Sequence, residues 1–396
     1  MNSSGSVNPT TLGLGQLFLR FLRFGCLAFG GPVAQIAMIR QALVEEERWI
    51  SPARFNRLLA VMQVLPGPEA HELCVHLGMV ARGRIGGVLA GLGFMLPGLV
   101  LMLVAAWSYQ RWVGTIDGLS GLFLGVQIVV LAIIARAVQR IGGHILENRP
   151  LWIIAALSLA ATIAGVPFWI PLVAGGAAYA AGERRWAWPL VLIAAVAAAW
   201  MAHGMGGATP TQAASAPSTA TTLALFIAGL KGGLLTFGGA YTAIPYVRAD
   251  TVQRGWLNDA AFLDGVAVAN IMPAPLVIFA TFTGYVAGGM AGALAITAGM
   301  FLPAFAFSLV FFERLESLVE NRALHRWLAG LAAAVVGVIA ATLIDLGLTV
   351  AGRNSQPVPA ILLFGIALAI VWRIRGRWVA PLLIAGGAAA GSLVAL

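Results

Sequence analysis

Long apolar stretches, separated by a few charged or glycine-rich positions, recur from end to end of this 396-residue chain. Their lengths suit bilayer-crossing helices, which need about 20 apolar residues each. The pattern predicts spanning helices near 12–31, 67–82, 84–110, 118–140, 150–165 and 166–182, then a seventh near 186–203. The uncharged stretch 204–220, rich in Ala, Ser, Thr, Gly and Pro, reads as a flexible linker. Six more helices follow near 221–239, 273–288, 289–312, 327–350, 357–373 and 377–395. The segments 32–66 and 240–272 are less apolar and carry Glu45-Glu46-Glu47-Arg48 and Asp250, Arg254, Asp259 and Asp264. They read as amphipathic or re-entrant helices at the interface, anchored by Trp49 and Trp256.

The pattern repeats. Phe29-Gly30-Gly31 and Phe237-Gly238-Gly239 are related by an offset of 208, at which Arg23 falls on Lys231, the chain's only lysine. After one small gap Leu65-Pro66-Gly67-Pro68 meets Met272-Pro273-Ala274-Pro275 at 207. After another, Gly78, Gly86 and Leu96-Pro97 fall on Gly284, Gly292 and Leu302-Pro303 at 206. So long a period excludes a solenoid and fits a transporter built from two related bundles. The expected organisation is a first repeat over 1–185, an extra helix and linker over 186–220, and a second repeat over 221–396. The extra helix has no counterpart, so an odd number of crossings precedes the second repeat and turns it over. The expected fold is therefore all-α, with about 13 transmembrane helices in two inverted-topology repeats containing broken or re-entrant helices.

Composition agrees: 60% hydrophobic and 10% charged residues, with a mean hydropathy of +0.90, leave too little charge to cover a water-soluble surface. The net charge of +9 is spread through short loops and forms no nucleic-acid stripe. It reports orientation: with the N-terminus cytoplasmic and the C-terminus outside, fifteen arginines lie on the cytoplasmic side and six outside. The turn after Gly78 carries Arg82 and Arg84, whereas the related turn after Gly284 carries only Gly288-Gly289, as expected if they face opposite sides of the cell's inner membrane. Cys26 and Cys74 stand in apolar surroundings and read as packing residues. The first eleven residues lack the basic n-region and cleavage site of a secretory signal, so the N-terminus is expected to be kept.

Candidate chemistry gathers at the repeated breaks. Gly30-Gly31-Pro32 with Gly238-Gly239, and Pro66-Gly67-Pro68 with Pro273-Ala274-Pro275, read as helix ends inside the protein. A helix starting there offers unpaired N–H groups and its positive end to an anion, with Pro68 and Pro275 suiting the first helical position. The plainer reading is that Gly and Pro are common in membrane helices. Arg23 and Lys231 fall at matching intramembrane positions. They neutralise an anion or form a structural pair with Glu69, Glu72 or Asp264; Arg20, nearer the helix end, snorkels to the headgroups. Glu69, His71, Glu72 and His76 form the densest polar group. Glu69 or Glu72 carries a coupling proton with His71 as relay, or the acids simply complement a helix N-terminus. Metal-ligand spacing is incomplete, no cofactor is called for, and no nucleophile elbow or phosphate loop is present.

At these residues the chain resembles the chromate transporter family, long-chain type with two fused halves, over nearly its whole length. The most specific matches are Phe29-Gly30-Gly31-Pro32, Leu65-Pro66-Gly67-Pro68-Glu69-Ala70, and Phe237-Gly238-Gly239 with Pro245 downstream. The resemblance implies export of chromate, a sulfate-like tetrahedral dianion, across the cytoplasmic membrane, giving resistance. Two departures stand out. Many members carry a histidine where Gln35 stands, and the second Pro-Gly-Pro is Pro273-Ala274-Pro275, whose methyl narrows approach to the ligand. The residues themselves reach only as far as a secondary anion transporter, possible as a homodimer, in which paired helix starts and Arg23 and Lys231 hold the dianion. Rival readings are a transporter of sulfate or another oxyanion, and a membrane-embedded enzyme acting on a lipid phosphate through Glu69, His71 and Glu72.

Overall fold

The computed structural model describes residues 9–62, 65–112, 119–182, 191, 193–198, 220–310, 322–354, 356–374, 376 and 378–394. The expected linker 204–219 and most of the expected helix 186–203 lie outside the described residues, although 193–198 are helical. Secondary structure among the described residues is helical throughout. The first half holds α1 (Leu14–Cys26), α2 (Gly31–Arg40), α3 (Pro52–Met62), α4 (Glu69–Trp112), α5 (Leu119–Ile145), α6 (Arg149–Ile163) and α7 (Trp169–Ala181). The second holds α8 (Thr222–Leu234), α9 (Ile244–Thr251), α10 (Asp259–Ile271), α11 (Phe279–Val310), α12 (Arg322–Arg353), α13 (Pro357–Arg373) and α14 (Val379–Val394). Four described helices are long and apolar enough to cross a membrane, 69–112, 121–145, 276–310 and 323–353, and five shorter ones are apolar too.

Two of the long helices are hairpins. In α4, Arg82 (φ −139°, ψ 31°) and Gly83 (φ 62°, ψ −158°) leave the helical region. In α11, Gly288 (φ −148°, ψ 22°) and Gly289 (φ 62°, ψ −155°) do the same with nearly identical torsions. Each break turns the chain back on itself, so Gly78 packs on the Gly86 carbonyl and Gly284 on the Gly292 carbonyl. The helices expected at 67–82 and 84–110, and at 273–288 and 289–312, are the legs of these hairpins. Positive φ at the second residue of each turn is why glycine stands there.

The repeat is also a repeat of packing. α1 lies on the second leg of α4, where Gly25 meets the Phe94 carbonyl and the Pro97 ring, and Gly93 meets the Phe18 carbonyl. α8 lies on the second leg of α11 in the same way: Gly233 meets the Met300 carbonyl and the Pro303 ring, and Gly299 the Phe226 carbonyl. A side chain at any of these four glycines would hold the backbones apart, so small residues set the helix spacing. Pro97 and Pro303 thus have a packing role at equivalent sites. Farther along, the halves interlock. α5 of the first half packs on α13 and α14 of the second, with Gly125 against Gly387 and Gly391; α12 of the second packs on α6 and α7 of the first, with Gly330 against Gly175 and Gly337 against Ala155.

Several boundaries and anchors differ from expectation. α1 and α8 end at Cys26 and Leu234, five residues before the Gly-Gly ends expected at 31 and 239, leaving a short loop before each pair. Pro68 and Pro275 each sit one residue before a helical turn rather than inside it. The Pro68 carbonyl accepts from the His71 N–H at 2.8 Å, and the Pro275 carbonyl from Ile278 at 3.0 Å. α11 proper begins only after a single 3₁₀ turn, Leu276–Ile278. Trp49 is buried against Phe21 and donates from Nε1 to Glu47 at 2.9 Å, so core packing outweighs the expected interfacial anchoring. Arg20 does not snorkel: it pairs with Glu47 and lies over the Trp49 ring.

Candidate functional site

The loops left between broken helices meet across the two halves. Gly30 is left-handed (φ 87°, ψ 13°) and Gly31 follows with φ 78°, which swings α2 away from α1. This places Gln35 on the buried face of α2. Its Nε2 donates to the Ala28 carbonyl at 2.8 Å and to the Ala274 carbonyl at 2.9 Å. Ala274 is the middle residue of the second Pro-x-Pro. Reciprocally, the N–H of Gly67, the middle residue of the first, donates to the Thr236 carbonyl at 2.8 Å, next to Phe237-Gly238-Gly239. Each half's glycine loop is thereby tied to the other half's proline loop. The Ala274 methyl occupies the space that a Cβ on Gly98 would take, so it serves packing against α4.

Beside this crossing lies a cavity of about 620 Å³. One wall is the start of α2, Gly30, Gly31 and Pro32 with Val33, Ala34 and Ala37. The facing wall is α5, which presents Arg136, Arg140 and His144 at spacings of four residues, hence on one face. The floor comes from the second half: Tyr241, Ala269, Asn270, Met272, Ala274 and Leu276, with the Tyr241 hydroxyl donating to Asn270 Oδ1 at 2.7 Å. Val371, Ile374, Gly376, Val379 and Ala380 close the rim, where Trp378 stacks on Phe29 at 5.7 Å. Among its described lining residues the cavity has two guanidinium groups and no carboxylate. Such a basic, concave, partly apolar site suits a small oxyanion, because guanidinium forks match tetrahedral oxygens and low-dielectric walls strengthen the attraction.

The sequence-predicted residues divide around this cavity. Gly30, Gly31, Pro32 and Ala274 line it. Gly238 (φ 70°) and Gly239 (φ 133°) do not line it and lie against Ile141 and Ile145 of α5, in the helical row that continues Ile133 and Ala137. Pro66, Gly67 and Pro68 are buried, and Gly67 (φ 147°) is where a Cβ would strike the Glu72 carboxyl. Pro273 and Pro275 flank Ala274. Glu69 is half-buried within the field of Arg140, which also reaches Tyr241. Glu72 is enclosed with neither oxygen hydrogen-bonded, and His71 is wedged between the rings of Phe301 and Phe305 at 4.9 and 4.8 Å. Arg23 is exposed and does not line the cavity. Lys231 is paired with Asp250 at 3.2 Å, and Asp250 also holds Arg254 at 2.9 Å. Its partner is thus a carboxylate outside the expected set of Glu69, Glu72 and Asp264. Among the described residues no cluster of three metal-ligating side chains occurs.

Arg136, Arg140 and His144 were missed as site residues because the sequence places them at the end of an apolar span, where cytoplasmic arginines are expected. Their four-residue spacing was the available signal. A loop arginine has no reason to share a face with the next.

Comparison with known proteins bears on what the cavity holds. A family model described as chromate transporter matches the chain twice, over residues 15–181 and 223–392. The chain is 55% identical over 385 residues to a chromate transport protein of Pseudomonas aeruginosa, covering 96% of this chain and 92% of that protein. It is 32% identical to a chromate transport protein of Cupriavidus metallidurans, covering 98% and 95%, and 30% identical to a probable chromate transport protein of Synechococcus elongatus, covering 96% and 95%. No solved structure matches the chain.

Proposed function

This chain belongs to the chromate transporter family, and from that premise we propose that it exports chromate across the cytoplasmic membrane, conferring resistance, with the α5 cavity as the place where the dianion is held. The observation that carries this reading is the cavity wall itself: Arg136 and Arg140 on one face of α5, opposite the glycine start of α2, with no lining carboxylate among the described residues. Two cations meet the two charges of chromate, and the Tyr241–Asn270 pair supplies hydrogen-bonding groups beside them. Glu69, half-buried at the start of α4 within the field of Arg140, is a counter-charge to that guanidinium when no dianion is bound.

The topology that fits is the inverted one, N-terminus cytoplasmic and C-terminus outside, with thirteen crossings when the helix near 186–203 is included. In it the cavity opens to the cytoplasm, since Arg136, Arg140 and the chain around Arg373 lie on that side. The repeats then correspond to 1–185 and 221–396, and alternating access is the movement of one crossing of loops against its symmetric partner. Driving force comes from an ion gradient or exchange, as no ATP-binding motif is present.

Sulfate is the second reading, because the same cations and dipoles suit both tetrahedral dianions. The enzyme reading through Glu69, His71 and Glu72 is the weaker one: His71 and Glu72 are enclosed by protein, whereas a lipid-phosphate enzyme needs them on a lipid-accessible face. Radiolabelled chromate uptake into everted vesicles, with sulfate as competitor and with Arg140→Gln alongside, tests the proposal. Uptake that sulfate at equal concentration leaves intact and that Arg140→Gln removes supports it; unimpaired uptake by Arg140→Gln removes the cavity from the mechanism.

A further inference from the structure

Asp264 is a buried acid that the cavity does not use. It lies on α10 six residues before Asn270, roughly 9 Å deeper along the helix at 1.5 Å per residue. It is 2% exposed. Three elements meet at its carboxyl. From α4, the Tyr109 hydroxyl donates to Oδ2 at 2.8 Å; from α5, Gln127 Nε2 donates to Oδ1 at 2.9 Å. The other amide atom, Gln127 Oε1, is buried without a hydrogen-bond partner. Around the carboxyl, α11 contributes the Phe282 ring, α14 has no ionisable side chain, α12 contributes the field of Arg353, and Arg248 takes up both Asp259 of α10, at 2.6 Å, and Asp345 of α12, at 2.7 Å.

The orphaned amide oxygen is the informative atom. A buried acceptor left unpaired costs about 1–3 kcal/mol, and such atoms call for an explanation. Half a turn of the Gln127 amide about its last bond exchanges donor and acceptor. In the present arrangement Gln127 N–H and Tyr109 O–H both donate, which serves a carboxylate. With the amide turned, Oε1 faces Oδ1 and accepts from a protonated carboxyl. Tyr109 and Gln127 therefore give the carboxyl a partner on each oxygen in either protonation state, the amide atom turned away being the unpaired one in each.

Building on the transport reading, we propose that Asp264 is the proton-binding site of the transport cycle, with Gln127 as the amide that follows its protonation. In the step itself one proton adds to Oδ1 of the carboxylate, the new O–H donates to Gln127 Oε1, and release reverses both. Gln127 lies nine residues from Arg136 along α5, and half-buried Tyr109 stands at the end of α4 beside exposed Arg111 and Trp112. The acid thus sits between the cavity and the opposite end of the bundle, with Tyr109 as its contact toward that end. Protons reaching Asp264 from there meet chromate coming from the cavity, the geometry of an exchanger.

The test uses the full-length protein reconstituted in vesicles holding a pH-sensitive dye, with chromate binding followed separately by tryptophan fluorescence. Wild type is expected to move protons when chromate is added. Asp264→Asn keeps size and shape; it should bind chromate within about two-fold of wild type and lose chromate-driven proton movement by ten-fold or more, whereas Asp264→Glu should recover part of it. Tyr109→Phe removes a donor whose bond is stronger to the carboxylate than to the acid, so the midpoint of the flux–pH profile should move to higher pH; Gln127→Leu, which loses a partner that adapts to either state, should move it less. Proton movement retained by Asp264→Asn, or an unmoved midpoint in Tyr109→Phe, overturns the assignment. Failure of wild type to bind chromate would instead overturn the transport reading. Should Asp264→Asn not accumulate, the Tyr109→Phe midpoint decides alone.

Discussion

The side-chain amide of Gln35 donates to the main-chain carbonyl of Ala274 at 2.9 Å, across 239 positions of sequence. With its second bond to Ala28 it makes one residue of α2 the clasp between the loop that starts α2 and the proline loop that precedes α11. Gln35→Leu leaves two buried carbonyls unpaired, an expected loss of about 2–6 kcal/mol at about 1–3 kcal/mol per group. Gln35→His restores one N–H donor and should keep part of the chromate flux. Thermal midpoints of the purified variants, with flux per unit of membrane protein, check the ranking of wild type, His, then Leu.

Charge at the cavity gives a sharper contrast. Arg136→Gln and Arg140→Gln should each weaken chromate affinity by about ten-fold or more, about 1.4 kcal/mol per decade. The corresponding Lys variants should keep part of it, having the charge without the planar fork. Arg23→Gln, at an exposed position off the cavity, should change affinity by less than two-fold. An affinity loss at Arg23 equal to that at Arg140 would move the site back to α1.

Lys231 is expected to act on stability. Lys231→Met should lower the thermal midpoint by a few degrees, because Asp250 is 6% exposed and loses one of its two cations. Lys231→Met combined with Asp250→Asn should regain most of that loss. Recovery of stability without any change in chromate affinity separates a structural pair from a substrate ligand.

Two glycines with positive φ should respond differently to alanine. Gly31 has open space around a would-be Cβ, so Gly31→Ala carries only the backbone cost of φ 78°, about 1–2 kcal/mol. At Gly67 the φ of 147° is joined by overlap with the Glu72 carboxyl, and its N–H holds Thr236. Gly67→Ala should therefore destabilise by several kcal/mol. Glu72→Ala in the same chain should return only the overlap part. Chemical denaturation of the three variants reads the difference.

Topology can be read with cysteines placed at the two matched hairpin turns, in a Cys26→Ser, Cys74→Ser background. An impermeant thiol reagent applied to intact cells should label the turn at Gly288-Gly289 and spare the turn at Arg82-Gly83. Equal labelling would rule out the inverted arrangement.

What was legible in the sequence follows from what leaves a periodic or local trace. The hairpin turns, the Gly-Gly and Pro-x-Pro breaks, and the equivalence of Pro97 with Pro303 were visible because repetition in register stands out against a background of ordinary membrane glycine. The ends of α1 and α8 were placed five residues late, since Leu27-Ala28-Phe29 is as apolar as the helix it follows and polarity carries no mark of the break. Trp49 and Arg20 read as interfacial, whereas Phe21 covers Trp49 and Glu47 pairs with Arg20; a partner supplied from many residues away has no local signature. The pairing of Lys231 with Asp250 was missed for the same reason. Arg136, Arg140 and His144 were hidden by a correct rule, since arginines at helix ends do set orientation, and it took the approach of α2 and α10 to turn that helix end into a wall.

The exchange of helices between the halves has a bearing on stoichiometry. α5 finds its neighbours in α13 and α14, α12 in α6 and α7, and each glycine loop is completed by a proline loop from the other half. Neither half can close the cavity by itself, so the unit of function is two repeats however they are encoded. Cut within the 204–220 linker and made as separate polypeptides, the halves should be inert alone and active only as a one-to-one pair, with the order of their synthesis immaterial.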